Sequence, residues 1–170
     1  MPELKSMLDE MLESWVDVRQ GIIAEVKNIP ADQMDFRPTP EVRSVREQVQ
    51  HILEVAMMAT GEFTRADTNL QRAPWPKLLA MYAKSAYRAK TRAQLLSLLA
   101  SQMKDAERRF RAQGELALGQ YHTRFDGLKG TKRAWIEHAI AQEWYHRGQL
   151  ALYARLMGRV PALTQLIYGS

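Results

Sequence analysis

No cysteine occurs anywhere in these 170 residues. That absence removes disulfides, thiolate metal ligands and a cysteine nucleophile together, and it fits a reducing compartment. Any thiol chemistry must use a thiol supplied from outside the chain. No stretch approaches the roughly 20 consecutive apolar residues of a membrane-crossing helix, because charge interrupts the apolar runs every few residues. The N-terminus, Met1-Pro2-Glu3-Leu4, opens on an acidic residue and lacks the basic-then-apolar order of a secretory signal. A cytoplasmic protein is the expectation. A serine-nucleophile motif, a phosphate-cradling glycine loop and an internal repeat are also missing.

What remains is an ordinary globular composition, 46% hydrophobic and 25% charged, rich in Ala, Leu, Gln, Arg and Met, which favour helices. A chain of this length buries a core without disulfides or a structural metal, so one domain spanning residues 1–170 is expected. The net charge of +5 and the isoelectric point near 9.6 would attract nucleic acid if gathered on one face. The densest basic stretches are Lys84, Arg88, Lys90 and Arg92, then Arg108, Arg109 and Arg111, then Lys129, Lys132 and Arg133. None carries a nucleic-acid motif or interleaved aromatics, so they read as solvated helix faces, with neither nucleic acid nor membrane as a partner.

Apolar spacing gives the architecture. Leu4, Leu8, Met11, Trp15, Val18, Ile22 and Val26 recur at three- and four-residue steps and predict a first helix from Glu3 to Asn28, stopped by Pro30. The segment through Phe36, Pro38 and Pro40 reads as extended. Ser44 and Glu47 form a capping-box pattern ahead of a second helix carrying Val45, Val49, Ile52, Ala56, Ala59 and Phe63. After the Pro74-Trp75-Pro76 turn, Leu78, Leu79 and Tyr82 predict a short helix. Thr91 and Gln94 cap a third long helix, with Leu95, Leu99, Met103, Ala106 and Phe110 on its buried stripe. A glycine-bearing loop through Gly127 and Gly130 leads into a fourth, from Thr131 to Met157, with Gly158 as its stop. The fold class is all-α, a four-helix bundle with a short extra helix between the second and third. In such bundles, cofactor sites are built from side chains on facing helices.

On the fourth helix His138, Gln142 and His146 follow at four-residue steps and share one side. His51 is the only histidine of the second helix, and imidazole suits zinc, nickel, copper or iron. His138 and His146 are about 12 Å apart along a straight helix, too far to share one ion. The spacing leaves two sets open, His51 with Gln142 and His146, or His51 with His138 and Gln142. It also leaves open that His51 is a buried histidine hydrogen-bonded to Gln142 or Glu143. Glu143-x-x-His146 has the spacing of carboxylate-bridged di-iron bundles, but no second such motif exists here. Glu54, one turn past His51, is a candidate ligand or imidazole-orienting partner. His122 is expected to be an exposed loop residue, Gly148 to permit close helix packing, Arg147 and Gln149 to cap or cross-link helices, and Trp135, Trp144 and Tyr153 to belong to the core.

The run Gln142-Glu143-Trp144-Tyr145-His146-Arg147-Gly148-Gln149-Leu150 resembles the late-helix signature of the DinB family. The likeness extends to Ser44-Val45 leading into Gln50-His51-Ile52, and to Tyr153, Gly158, Val160-Pro161 and Tyr168-Gly169. The resemblance implies a metal set of His51, Gln142 and His146 holding a divalent ion (zinc, nickel or iron). It implies homodimers, and activation of a small-molecule thiol toward an electrophile, as in a metal-dependent thiol S-transferase, with hydrolysis by metal-activated water second. This sequence departs from the family pattern at Gln142, where a histidine is expected; an amide oxygen is a weaker donor than imidazole. The alternative is a non-catalytic dimeric binding or stress-response bundle with a degenerate metal site.

Overall fold

Ser6 opens the first helix, its hydroxyl accepting the Asp9 N–H at 3.2 Å and so satisfying an otherwise orphan donor of the first turn. Helix α1, Met7–Asn28, follows. The computed structural model describes residues 6–169, so the expected helical residues 3–5 lie outside the described residues. Ile29 is already extended, with φ −81° and ψ 130°, because Pro30 crowds the helical conformation of the residue before it. The extended connection contains one 3-10 turn, Ala31–Gln33.

Both capping boxes form. Ser44 accepts the Glu47 N–H at 3.2 Å while Glu47 accepts the Ser44 N–H at 2.8 Å, starting α2, Val45–Phe63. Thr91 and Gln94 do the same for α5, Arg92–Gln113. Between them lie α3, Trp75–Tyr82, and a further short turn of helix, α4, Lys84–Arg88, where one extra helix was expected. Helix α6, Lys132–Leu156, ends at Gly158, whose φ of 74° suits a residue without a Cβ. Helix α7, Ala162–Tyr168, closes the described chain. Buried Glu25 of α1 accepts its Ala162 N–H at 3.0 Å and thereby holds the first turn of α7 to the bundle.

The four long helices make the all-α bundle. Helices α5 and α6 each pack on both α1 and α2, which puts α1 and α2 diagonally across the core. Contacts at Trp15–Glu143 and Gly21–Arg147 show α6 running parallel to α1, whereas Gln48 meets Gln149 and His51 meets Gln142, so α6 runs antiparallel to α2. The core is continuous, with Leu12, Trp15, Ile22, Leu53, Leu95 and Leu99 sealed from solvent.

Four readings of the sequence are corrected. The loop before α6 is folded: after a 3-10 turn at Glu115–Gly119 comes a hairpin of β1, Tyr121–Thr123, and β2, Lys129–Thr131, paired antiparallel with His122 opposite Gly130. Three-residue strands are too short to show an alternating pattern. The hairpin also captures the chain after α2, Leu70 donating its N–H to the Thr123 carbonyl at 2.9 Å. His122 is accordingly buried, edge-on to Phe63 and Trp135. Gly148, expected at a close helix contact, faces open space; tight approaches are instead at Gly21, where a side chain would run into the Arg147 guanidinium, and at Gly61, where it would meet the Tyr82 ring. Of the three aromatics assigned to the core, Tyr153 is buried, Trp135 is half-buried and Trp144 is exposed.

Among the described residues no helix is long and apolar enough to cross a membrane.

Candidate functional site

The Ser44 cap sets where α2 begins, and two turns later its inward face carries His51. Antiparallel α6 brings Gln142 and His146 to the same level. Gln142 Nε2 lies 3.2 Å from His51 Nε2 and 3.4 Å from His146 Nε2, and the two rings meet edge to face with centroids 4.9 Å apart. The structure thus gathers His51, Gln142 and His146 and leaves out His138, which is exposed and packs on Trp135. Of the two sets left open by spacing, this is the one that assembles.

Each imidazole is held from behind. His51 Nδ1 is 2.6 Å from Glu54 Oε1, and the other oxygen of Glu54 accepts from the Tyr87 hydroxyl. His146 Nδ1 is 2.7 Å from Gln149 Oε1, and the Gln48 amide nitrogen meets both that oxygen and His146 Nδ1. The Glu54 carboxylate only accepts, so His51 Nδ1 carries the proton and its Nε2 presents a lone pair to the space beside Gln142; His146 Nδ1 meets both an acceptor, Gln149 Oε1, and a donor, the Gln48 amide, so either tautomer of His146 finds a partner there. Such backing by an acceptor is the usual way proteins fix the tautomer and orientation of a metal-binding histidine.

The electrostatics keep His146 unprotonated beyond its one ring proton. Burial lowers the pKa of His146; the Gln149 hydrogen bond opposes this, and the charges of His51 and Arg43 add to the lowering. His146 is therefore neutral at pH 7. Burial of Glu54 acts to raise its pKa, but hydrogen bonds from His51 and Tyr87 outweigh it and hold the carboxyl below its ordinary value. Tyr87 is pushed up to about 12, first by burial and then by its bond to Glu54.

Glu143 is not available to the cluster. It is buried on the α1 side of α6, where Arg19 binds it with Nε at 2.8 Å and with a second guanidinium nitrogen, and Trp15 Nε1 donates to it at 2.6 Å. Arg19 in turn donates to the Leu99 carbonyl at 2.9 Å and to Gln102 at 2.6 Å. Among the described residues no group of three or more His, Cys, Asp or Glu side chains is placed to hold a metal. Any ion here would depend on Gln142 as its third protein donor.

The sequence reading missed Gln48, Gln149's bond to His146 and Tyr87. Gln48 and Gln149 were discoverable, standing three residues from His51 and His146 on the same helix faces. Tyr87 comes from α4 and had no sequence signal. Below the cluster, a cavity of about 60 Å³ lies between α2, α6, α3 and the hairpin, with Gln142 and His138 among its lining residues.

Comparisons with known proteins agree on the architecture. The DinB family model matches residues 1–168. Among curated proteins none matches. A DinB-like protein from Bacillus subtilis superposes with a TM-score of 0.68 at 20% identity, over 89% of this chain and 93% of its own. A protein described as a DinB-family member, from Exiguobacterium sibiricum, gives 0.67 at 21%, over 90% and 93%. A mutant of a mycothiol-dependent maleylpyruvate isomerase gives 0.66 at 11%, over 85% of this chain and 61% of that one. At these identities the structural likeness speaks to fold alone.

Proposed function

Since the chain belongs to the DinB family, we propose that His51, Gln142 and His146 bind one divalent ion (zinc, nickel or iron) and that the protein uses it to promote attack of an external thiol on a small electrophile. One observation carries the reading: His51 Nδ1 is committed to Glu54 at 2.6 Å and His146 Nδ1 is held by Gln149 at 2.7 Å, so the Nε2 atoms of both rings converge beside one amide. The donor set fits such an ion through its two imidazoles. The third donor is weaker, the Gln142 oxygen, brought inward when the amide turns over.

When bound, the ion supplies positive charge that stabilises a thiolate at neutral pH. The chain's own residues do the rest. His51 and His146 bind through Nε2. Glu54 orients His51 and keeps its proton on Nδ1, while Tyr87 holds Glu54 in place. Gln48 fixes Gln149, and Gln149 fixes His146. Because the chain has no cysteine, the thiol is a substrate or cosubstrate, which accords with the thiol dependence of the isomerase that is similar in fold.

A second reading is favoured by the Gln142 amide itself. With its NH2 turned inward it donates to both imidazoles, at 3.2 Å and 3.4 Å, and completes the cluster without any metal. The protein would then be a non-catalytic binding bundle. The two are separated by following disappearance of a low-molecular-weight thiol with a reactive electrophile such as a short activated alkyl halide. Zinc-loaded protein accelerates the reaction and His51→Ala does not. Equal rates for both, at equal zinc content of the solution, would reject the enzymatic reading.

A further inference from the structure

The cavity beside Gln142 has a composition unlike the rest of the site. Met58, Trp75, Phe125 and Trp135 form its walls. The aromatic rings interlock edge-on, Trp75 with Phe125 at 4.6 Å between centroids and Phe125 with Trp135 at 5.5 Å. Three separate segments supply them: the start of α3, the hairpin turn and the first turn of α6. Its polar lining comes from Gln142 and from His138, which is drawn onto the Trp135 face at 5.0 Å. Gln142 therefore touches both the imidazole pair and the apolar cavity.

A pocket of this kind accepts a group that is apolar along its length and polar at one end. Its volume, about 60 Å³, is well under the ~150 Å³ that houses a benzene ring, and about twice the ~30 Å³ of liquid volume per water molecule. That limits the group to a short alkyl chain of about three carbons. We propose that this cavity binds a short alkyl substituent of the substrate, so that the atom bearing it lies at Gln142, next to His51 and His146. The site thereby selects small aliphatic substrates over aryl ones. The inference rests on the proposed reaction site for its functional meaning; the binding it claims needs no metal.

Trp75 and Trp135 are natural reporters, and Trp15 and Trp144, away from the cavity, are internal controls. Ethanol, 1-propanol, 1-butanol and benzyl alcohol are titrated into metal-free protein while the indole N–H resonances are followed. Affinity is expected to rise about fourfold per methylene from ethanol to propanol, to level off at butanol and to gain nothing from the phenyl ring. Only the Trp75 and Trp135 signals should move. Ala139→Leu, which fills the cavity from α6, and Trp75→Ala, which removes a wall at a half-exposed position and so spares the core, should each abolish the chain-length dependence, with folding checked by thermal melting. Affinity that does not depend on chain length, equal movement of all four indoles, or an unchanged series in both variants overturns the proposal. Zinc titration of the same samples separates the two failures. Alkanol selectivity without zinc binding would sink the reaction-site reading and keep the cavity, whereas zinc binding without alkanol selectivity would sink the cavity alone.

Discussion

Glu54 accepts from Nδ1 of His51 at 2.6 Å, and this contact determines what the opposite edge of the ring can do. With the proton fixed on Nδ1, Nε2 is a lone-pair donor facing Gln142. Removing the backing carboxylate frees the ring to rotate and to change tautomer. Glu54→Ala should weaken zinc affinity by about 10- to 100-fold while leaving the fold intact, as read by calorimetric titration and far-ultraviolet circular dichroism. Unchanged affinity would show that Glu54 does not act through His51.

Gln142 is the position at which this chain departs from three imidazoles. Gln142→His should tighten zinc binding relative to the natural sequence, because imidazole is the better donor for such ions. Competition against a chelator measures the difference. If the variant binds no more tightly, the side chain at this position does not reach the metal.

The Arg19–Glu143 pair lies beneath the site and its role is structural. Both groups are buried and bonded on several sides. Arg19→Met leaves the buried Glu143 carboxyl without its ionic partner, a loss of about 3–5 kcal/mol in urea unfolding. Adding Glu143→Gln should recover much of it.

His122 gives stability a pH dependence. Burial lowers its pKa, the Gly130 backbone opposes this, and Lys132, Arg124 and Lys129 lower it further. The unfolded chain, with an ordinary histidine pKa of about 6.5, binds a proton that the folded form resists. Its contribution is complete above that value and declines as pH falls through it toward the lower folded value. Metal-free His146 shifts the same way. Metal-free protein should lose stability in urea as pH falls below about 6.5. His122→Phe, which keeps a ring against Phe63 and Trp135, should flatten that slope, and an equally steep slope in the variant would assign it elsewhere.

How much of this was legible depended on the range of the interaction. Caps at Ser44 and Thr91 and stops at Pro30 and Gly158 are local, and they fell where the residues put them. His51, Gln142 and His146 came together because helical periodicity places Gln142 and His146 on one face, and the family resemblance chose between two levels that periodicity left open. His122 was misjudged because its burial depends on a hairpin whose strands are too short to carry a pattern. Tyr87 and Arg19 went unseen because each meets its partner only after helices distant in sequence pack together. Gly148 looked like a packing glycine from its position in a helix, yet a close approach is made by Gly21 and Arg147, a pair separated by most of the chain.

Two backed imidazoles and one amide are proposed to hold a metal. Untagged protein, purified without chelator and reconstituted with zinc, nickel or iron(II), should contain close to one ion per chain by elemental analysis, and His51→Ala and His146→Ala should each lose it. No retained metal in the natural sequence under all three conditions, or equal retention in both variants, would contradict the account.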